Sequence, residues 1–459
     1  MDTQTIEQAN SRPGPQADAV ARARCLALDA ADPLASLRER FALPEGTIYL
    51  DGNSLGAQPR ATAARIADVI TREWGVDLIA SWNKAGWIDA PRRIGDALAP
   101  LIGARAGEVV IADSTSINLF KVLTVAMDLA TSRDSRRRVV ISEADNFPTD
   151  LYIAEGVVGR RGDTASLSLV PATASAARHD AIVSALGPTT AVLMLTHVNY
   201  RSGAMHDMAA LTRAAHDAGA LVVWDLAHSA GAVPVDLHAA DADFAIGCGY
   251  KYLNGGPGAP AFLWVHPRHV DRFSQPLSGW MGHASPFTFV PGYAPAAGVS
   301  RFLCGTPPML SMAALECGIA SLQLHDGSHE DAANPMPALR AKSIALTSLF
   351  IDLVEARCRD ALLLATPRDP AKRGSQVSFH ARGALAGHAY AVMQALIERG
   401  VVGDFRESSA GREGDILRFG FTPAYCRYVD VFDAVAIIGD VVDSGVYRDA
   451  RFRVRAAVT

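Results

Sequence analysis

Apolar residues along the chain come in short β-branched runs separated by helical patterns. Runs occur at EVVIA (108–112), RVVIS (138–142), SLSLV (166–170), AVLMLT (191–196), ALVVW (220–224), DFAIG (243–247) and AFLWV (261–265). Helical spacing fills 117–130, 174–186 and 208–218 between them. Strand runs alternating with helices imply crossover connections and a mostly parallel, buried sheet. The pattern changes after about residue 325. A long helical stretch (337–357) precedes QVSFH (376–380), a helix at 388–398, VVGDF (401–405), ILRFGF (416–421) and a helix at 429–442. Helices against a few hairpin-like strands predict a smaller α+β domain. Before the sheet region, 25–41 and 60–74 read as helices around the segment TIYLDGNSLG. Residues 1–24 are polar, carry Pro13, Gly14 and Pro15, and read as a frayed tail or a short arm. The expected organisation is a tail (1–24), an N-terminal segment (25–79) serving the small domain and dimer contacts, a large domain (80–325) and a small one (326–459).

Composition narrows the class. The chain has 459 residues, 49% of them hydrophobic, and a formal net charge of −5. That excludes a globally disordered chain and argues against nucleic-acid binding by bulk charge. No secretory leader and no apolar run long enough for a membrane are visible, and the six cysteines form no CxxC pair. A soluble, cytoplasmic protein with no membrane or nucleic-acid partner is expected. His325 and His329 lie four apart without a metal motif, so no metal is expected.

Chemistry concentrates in WDLAHSAGAVPVDLHAADADFAIGCGYKYLNGGPG (224–258). Asp225 ends a buried strand, where open α/β sheets bind ligands. Lys251 follows a neighbouring strand and precedes a glycine-rich turn. This pairing fits pyridoxal phosphate (PLP): the lysine amine for a Schiff base, and the carboxylate to keep the pyridine nitrogen protonated. A structural ion pair explains the two residues equally well. His228, three residues after Asp225, is placed to support it or to approach the cofactor.

Ser114, Thr115 and Ser116 end a strand and open a helix, which suits either a phosphate or an ordinary cap. Phe147 and Asp150, in SEADNFPTDLYI, offer a ring face and a carboxylate. Arg418, in LRFGFTP, suits a clamp on a substrate carboxylate or a surface ion pair. GNSLG (52–56) matches a nucleophile elbow around Ser54, but with no sheet built ahead of it a turn is the better reading.

The stretches YLDGNSLG, NFPTDLY, DLAHSAG, YKYLNGGPG and SGWMGH together resemble kynureninase, in family order and spacing across about 25–445. The resemblance implies an α/β, PLP-dependent transferase-like (fold type I) chain, with a large domain on a mostly parallel sheet and a smaller α+β C-terminal domain. It implies hydrolytic Cβ–Cγ cleavage of L-kynurenine to anthranilate and L-alanine in tryptophan degradation, by a homodimer with its sites at the interface. It also implies roles. Lys251 carries the Schiff base, Asp225 partners the pyridinium and Tyr250 moves protons. Thr115, Ser116, Phe147, Pro148, Thr149, Asp150, Thr196 and His228 surround the cofactor, with Trp280 and Thr306 reaching it from the partner subunit. Arg418 grips the substrate carboxylate, and Asn53, Trp82 and Gly305 line the substrate site. Trp82, Gly305 and Thr306 resemble the set that prefers unhydroxylated kynurenine over 3-hydroxykynurenine. Gly249 departs from the Ser or Thr that the family often has before Tyr-Lys. The rival readings are another fold-type-I enzyme (cysteine desulfurase or aminotransferase), a serine hydrolase on Ser54, and a binding protein that has kept the fold.

Overall fold

A computed structural model describes residues 15–172, 175–324, 334–408 and 414–455. His325 and His329 lie outside them. Seven strands form the main sheet: β2 (Val109–Ile111), β3 (Val139–Glu143), β4 (Ser166–Val170), β5 (Thr190–Thr196), β6 (Leu221–Asp225), β7 (Phe244–Gly247) and β8 (Phe262–Val265). Their order is β2-β8-β7-β6-β5-β3-β4. Pairings from β4 through β7 are parallel, and β8 runs antiparallel to both its neighbours.

The near-continuous apolar runs are explained by burial on both faces. Successive side chains of a strand point to opposite faces. Leu193, Leu195, Val222 and Trp224 enter one core, while Val192, Met194, Leu221 and Val223 enter a second core on the other side. The second core is closed by the helices Thr115–Arg133 and Pro148–Gly159. Each fully buried Val, Leu or Ile contributes about 1.5–3 kcal/mol, so this layering is the main stabilising term. All residues of β6 are buried, which carries Asp225 to the end of a rigid strand.

The C-terminal part forms a four-stranded antiparallel sheet in the order β12-β13-β10-β9, from Asp404–Arg406, Ile416–Gly420, Gln376–Ala381 and Leu362–Leu364. VVGDF reads as one strand but divides at Gly403. Val401–Val402 (β11) pairs in parallel with Ile48–Tyr49 (β1), whereas Asp404–Arg406 pairs with β13. The segment before the main sheet is thereby tied to the chain's last third.

The tail reading of 1–24 fails for residues 15–24, and the helix expected over 25–41 is displaced. A helix spans Pro15–Ala30, and a 3-10 turn follows at Ala35–Arg40. Pro33 separates the two, since proline lacks the N–H that a continuous helix needs. Polar sequence misleads here because the helix is held by its partner, the helix Tyr428–Ser444. Cys25 packs with Val429 and Phe432. Arg22 forms a two-pronged ion pair with Asp433, and Asp29 accepts from the N–H groups of Tyr428 (2.6 Å) and Val429 (2.9 Å).

Candidate active site

The end of β6 at Asp225, the turn after it at His228 and the helix start at Phe147 meet around Lys251. Its Nζ lies 2.9 Å from Nε2 of His228. The rings of Phe147 and Tyr250 have their centroids 5.9 Å and 5.8 Å from the same atom. The peptide around Lys251 is fixed by Gly56 N donating to Tyr250 O (2.8 Å) and Asn254 N donating to Lys251 O (2.9 Å). Gly249 is forced by space: a Cβ there would sit 2.4 Å from the carbonyl oxygen of Pro260. The missing hydroxyl at this position therefore has a steric cause.

The tautomer of His228 follows from the partners of Gln376. Gln376 Nε2 donates to the carbonyls of Asn199 (3.3 Å) and Tyr200 (3.0 Å), so its Oε1 is the acceptor facing His228 Nδ1 at 3.0 Å. Nδ1 carries the proton, and Nε2 is left to accept from Lys251. Burial, then the Lys251 and Arg418 charges, hold the imidazole well below its usual pKa, so it stays neutral.

Asp225 and Asp150 lie buried together beside this pair. Asp225 accepts from Ala227 N at 2.8 Å. Burial and the Asp225 charge push Asp150 well above the carboxylate range. Burial also raises Asp225, with the Lys251 charge and a hydrogen bond from Asp150 opposing it. Asp150 is the member that keeps its proton. Asn146, which the sequence reading passed over, organises this wall. Its Oδ1 accepts from Phe147 N (2.7 Å) and from the Thr196 hydroxyl. Thr196 also reaches Asp150 (3.5 Å). Phe147 precedes the helix Pro148–Gly159, whose first turn holds Pro148, Thr149 and Asp150, and the residue is 40% exposed.

Thr115 and Ser116 occupy the first turn of the helix Thr115–Arg133, capped by Ser114, which accepts from Ile117 N. Such a turn presents free N–H groups to an anion.

Arg418 is not on the surface. It is 1% exposed and meets Asp404, itself 2% exposed, directly across the β12–β13 ladder. Arg418 donates to Asp404, to the carbonyl of Tyr200 and to Ser54 Oγ (2.8 Å). Asn53 accepts from Arg418 Nε (3.0 Å) and donates to Asp51 (3.3 Å). Ser54 spends its hydroxyl on Arg418 and Asp51, so the nucleophile-elbow reading is overturned. Asp404, Asp51, Gln376 and Arg406, which also pairs with Asp404 (2.8 Å), are site residues that sequence reasoning missed.

Trp82, Trp280, Gly305 and Thr306 are not drawn into this cluster by the chain itself. Trp82 and Trp280 pack edge to face at 5.6 Å, with Phe287 6.3 Å from Trp82. Gly305 and Thr306 are exposed ahead of the helix Met309–Ala320.

The residues present fit PLP. The buried Asp225 carboxylate, beside a protonated Asp150, needs a positive partner, which a protonated ring nitrogen would supply. Phe147 offers a ring face, and the first turn at Thr115 and Ser116 offers N–H groups to a phosphate. Among the described residues no cluster of metal-ligand type occurs.

A family model described as Kynureninase C-terminal domain matches residues 339–438. A kynureninase of Pseudomonas fluorescens is 55% identical over 437 residues, covering 95% of this chain and 99% of that protein. A kynureninase of Burkholderia pseudomallei is 54% identical over 439 residues, with the same coverage. Among solved structures, a cysteine desulfurase of Thermococcus onnurineus NA1 superposes with a TM-score of 0.71 at 19% identity, covering 89% of this chain and 98% of that one. The Escherichia coli cysteine desulfurase CsdA gives 0.70 at 19% identity, over 90% and 98%. Identity that low speaks for the fold alone, the fold-type-I frame. Identity of 55% over nearly the whole length speaks for more: the chain belongs to the kynureninase family, enzymes that use PLP.

Proposed function

We propose that this protein is a PLP-dependent kynureninase, cleaving the Cβ–Cγ bond of L-kynurenine with water to give anthranilate and L-alanine. The observation that carries this reading is the Lys251 amine, poised on a neutral His228 and flanked by the buried acids Asp225 and Asp150, in a chain 55% identical to a kynureninase. When bound, PLP supplies an aldehyde for amines and a pyridinium ring that withdraws electrons.

The chain's own groups do the rest. Lys251 would anchor the cofactor through its amine, and the same amine, when free, is placed to take the proton from the substrate Cα. His228 keeps the amine directed by accepting one of its protons. Asp225 would hold the proton of the ring nitrogen, and Asp150, protonated, steadies Asp225. Tyr250, whose hydroxyl burial holds well above its usual pKa, keeps a proton to donate to carbon. Phe147 would cover one ring face, and Arg418 would face the substrate carboxylate, with Asn53 orienting the guanidinium.

A homodimer in the cytoplasm completes the reading. Trp74, Val76, Ile79 and Phe289 are exposed apolar residues, and such patches mark contact surfaces. In a dimer, Trp280 and Thr306 would serve the neighbouring site, and Trp82 and Gly305 would line the substrate's aryl end. Trp82 and Gly305 bring no hydroxyl, amide or carboxylate to that end, which supports preference for unhydroxylated kynurenine.

A desulfurase reading is not favoured. Burial pushes the thiols of Cys248 and Cys317 up and that of Cys426 to about 12, opposite to what a nucleophilic thiol needs. The test is direct. L-Kynurenine added to the PLP-loaded protein should release fluorescent anthranilate, and L-cysteine should release no sulfide. Sulfide without anthranilate would overturn the assignment.

A further inference from the structure

Counting the N–H groups of Arg418 exposes a shortage. A guanidinium has five N–H donors. In Arg418, Nε is used by Asn53, one Nη1 proton by the Tyr200 carbonyl, and both Nη2 protons by Ser54 and Asp404. One donor remains. A two-pronged grip on a carboxylate by Arg418 alone would break a bond that holds it in place.

Arg406 lies beside it with donors to spare. Its Nη2 meets Asp404 at 2.8 Å, while its buried Nε has no acceptor among the described residues. Its charge reaches His228, and Tyr200 and Asp51 act on it in turn, so it borders the Lys251 site. Strand register explains the placement: Asp404 stands opposite Arg418 and Arg406 opposite Ile416, so Arg406 lies two residues along the same strand face as Asp404. The electrostatics call for an anion. Two guanidiniums share Asp404, and the other acid, Asp51, is pushed up to about 7 by burial and by Asp404. Near neutral pH the group carries excess positive charge, with Arg418 buried and Arg406 partly open on its outer side, so an anion entering between them would be paired on both arms.

We propose that Arg406 is the second arm of the substrate-carboxylate site. One carboxylate oxygen takes the spare Nη1 proton of Arg418, the other takes the free donors of Arg406, and Asp404 fixes the spacing of the two guanidiniums. This rests on the reading of Arg418 as the carboxylate residue.

The test uses the PLP-loaded full chain and two probes. One is L-kynurenine, followed by anthranilate fluorescence. The other is kynuramine, the same aryl ketone and amine without the carboxylate, measured as a competitive inhibitor. Arg406→Gln should raise KM for L-kynurenine at least about tenfold, the lower range for a lost charge-assisted hydrogen bond. It should leave the kynuramine inhibition constant in place. Should that variant fail to fold, Arg406→Lys decides alone, because it keeps the charge but loses the Nε donor: selective weakening toward L-kynurenine supports the second arm. An unaltered KM, or equal weakening of both probes, overturns it. Arg418→Gln separates the two readings. If it weakens both probes alike, the assignment of Arg418 itself fails, whatever Arg406 does.

Discussion

His228 accepts a hydrogen bond from Lys251 across 2.9 Å, and Gln376 is what makes it an acceptor. The three side chains come from 148 residues of separation between His228 and Gln376, so the tautomer is set by the C-terminal sheet. If this relay directs the amine, His228→Leu should lower kcat/KM between about tenfold and a hundredfold, the range for a hydrogen bond to a charged group. It should also shift the pH at which the visible band of the PLP–lysine imine titrates. A variant with the wild-type titration would show the contact to be incidental.

Asp51 makes the folded protein sensitive to pH. Burial and the Asp404 charge raise its carboxyl from 3.8 to about 7. A raised pKa means that the folded state binds the proton more tightly than the unfolded chain. Its stabilising share is complete below 3.8 and is lost as pH climbs through about 7. Asp51→Asn has no proton to lose. Thermal melts of both proteins below and above that window should show the difference moving in favour of the variant as pH rises. A constant difference would contradict the assignment.

Gly249 is a packing requirement. A Cβ would approach the Pro260 carbonyl to 2.4 Å and Leu315 to 3.0 Å. Restoring a hydroxyl residue with Gly249→Ser should cost about 1–3 kcal/mol, the usual penalty for overpacking. Differential scanning calorimetry checks this, and an unchanged Tm would mean that the backbone yields easily.

Six of the seven strands of the main sheet were legible because burial on two faces gives a near-continuous apolar run, while the edge strand Ser166–Val170, buried only at Val170, was legible from its alternation of Ser and Leu. Asp225 and Lys251 were legible because charge at the end of such a run is conspicuous. Local pattern could not reveal what register assembles. Asp404 and Arg406 look like ordinary charges on a short strand until pairing sets Asp404 against Arg418. Asn146 and Gln376 carry no charge, and their importance lies in which partner each orients. The helix at Pro15–Ala30 was hidden for a related reason: its anchors, Val429 and Phe432, lie about four hundred residues away.

The chain has five lysines. Lys84, Lys121 and Lys342 pair with Asp77, Asp113 and Asp32, while Lys251 rests on His228. Borohydride reduction of the PLP-loaded protein, followed by peptide mass mapping, locates the cofactor's bond to the chain. A reduced pyridoxyl adduct is expected on the peptide containing Lys251, and its loss in Lys251→Ala. An adduct on another lysine, or none, would contradict it.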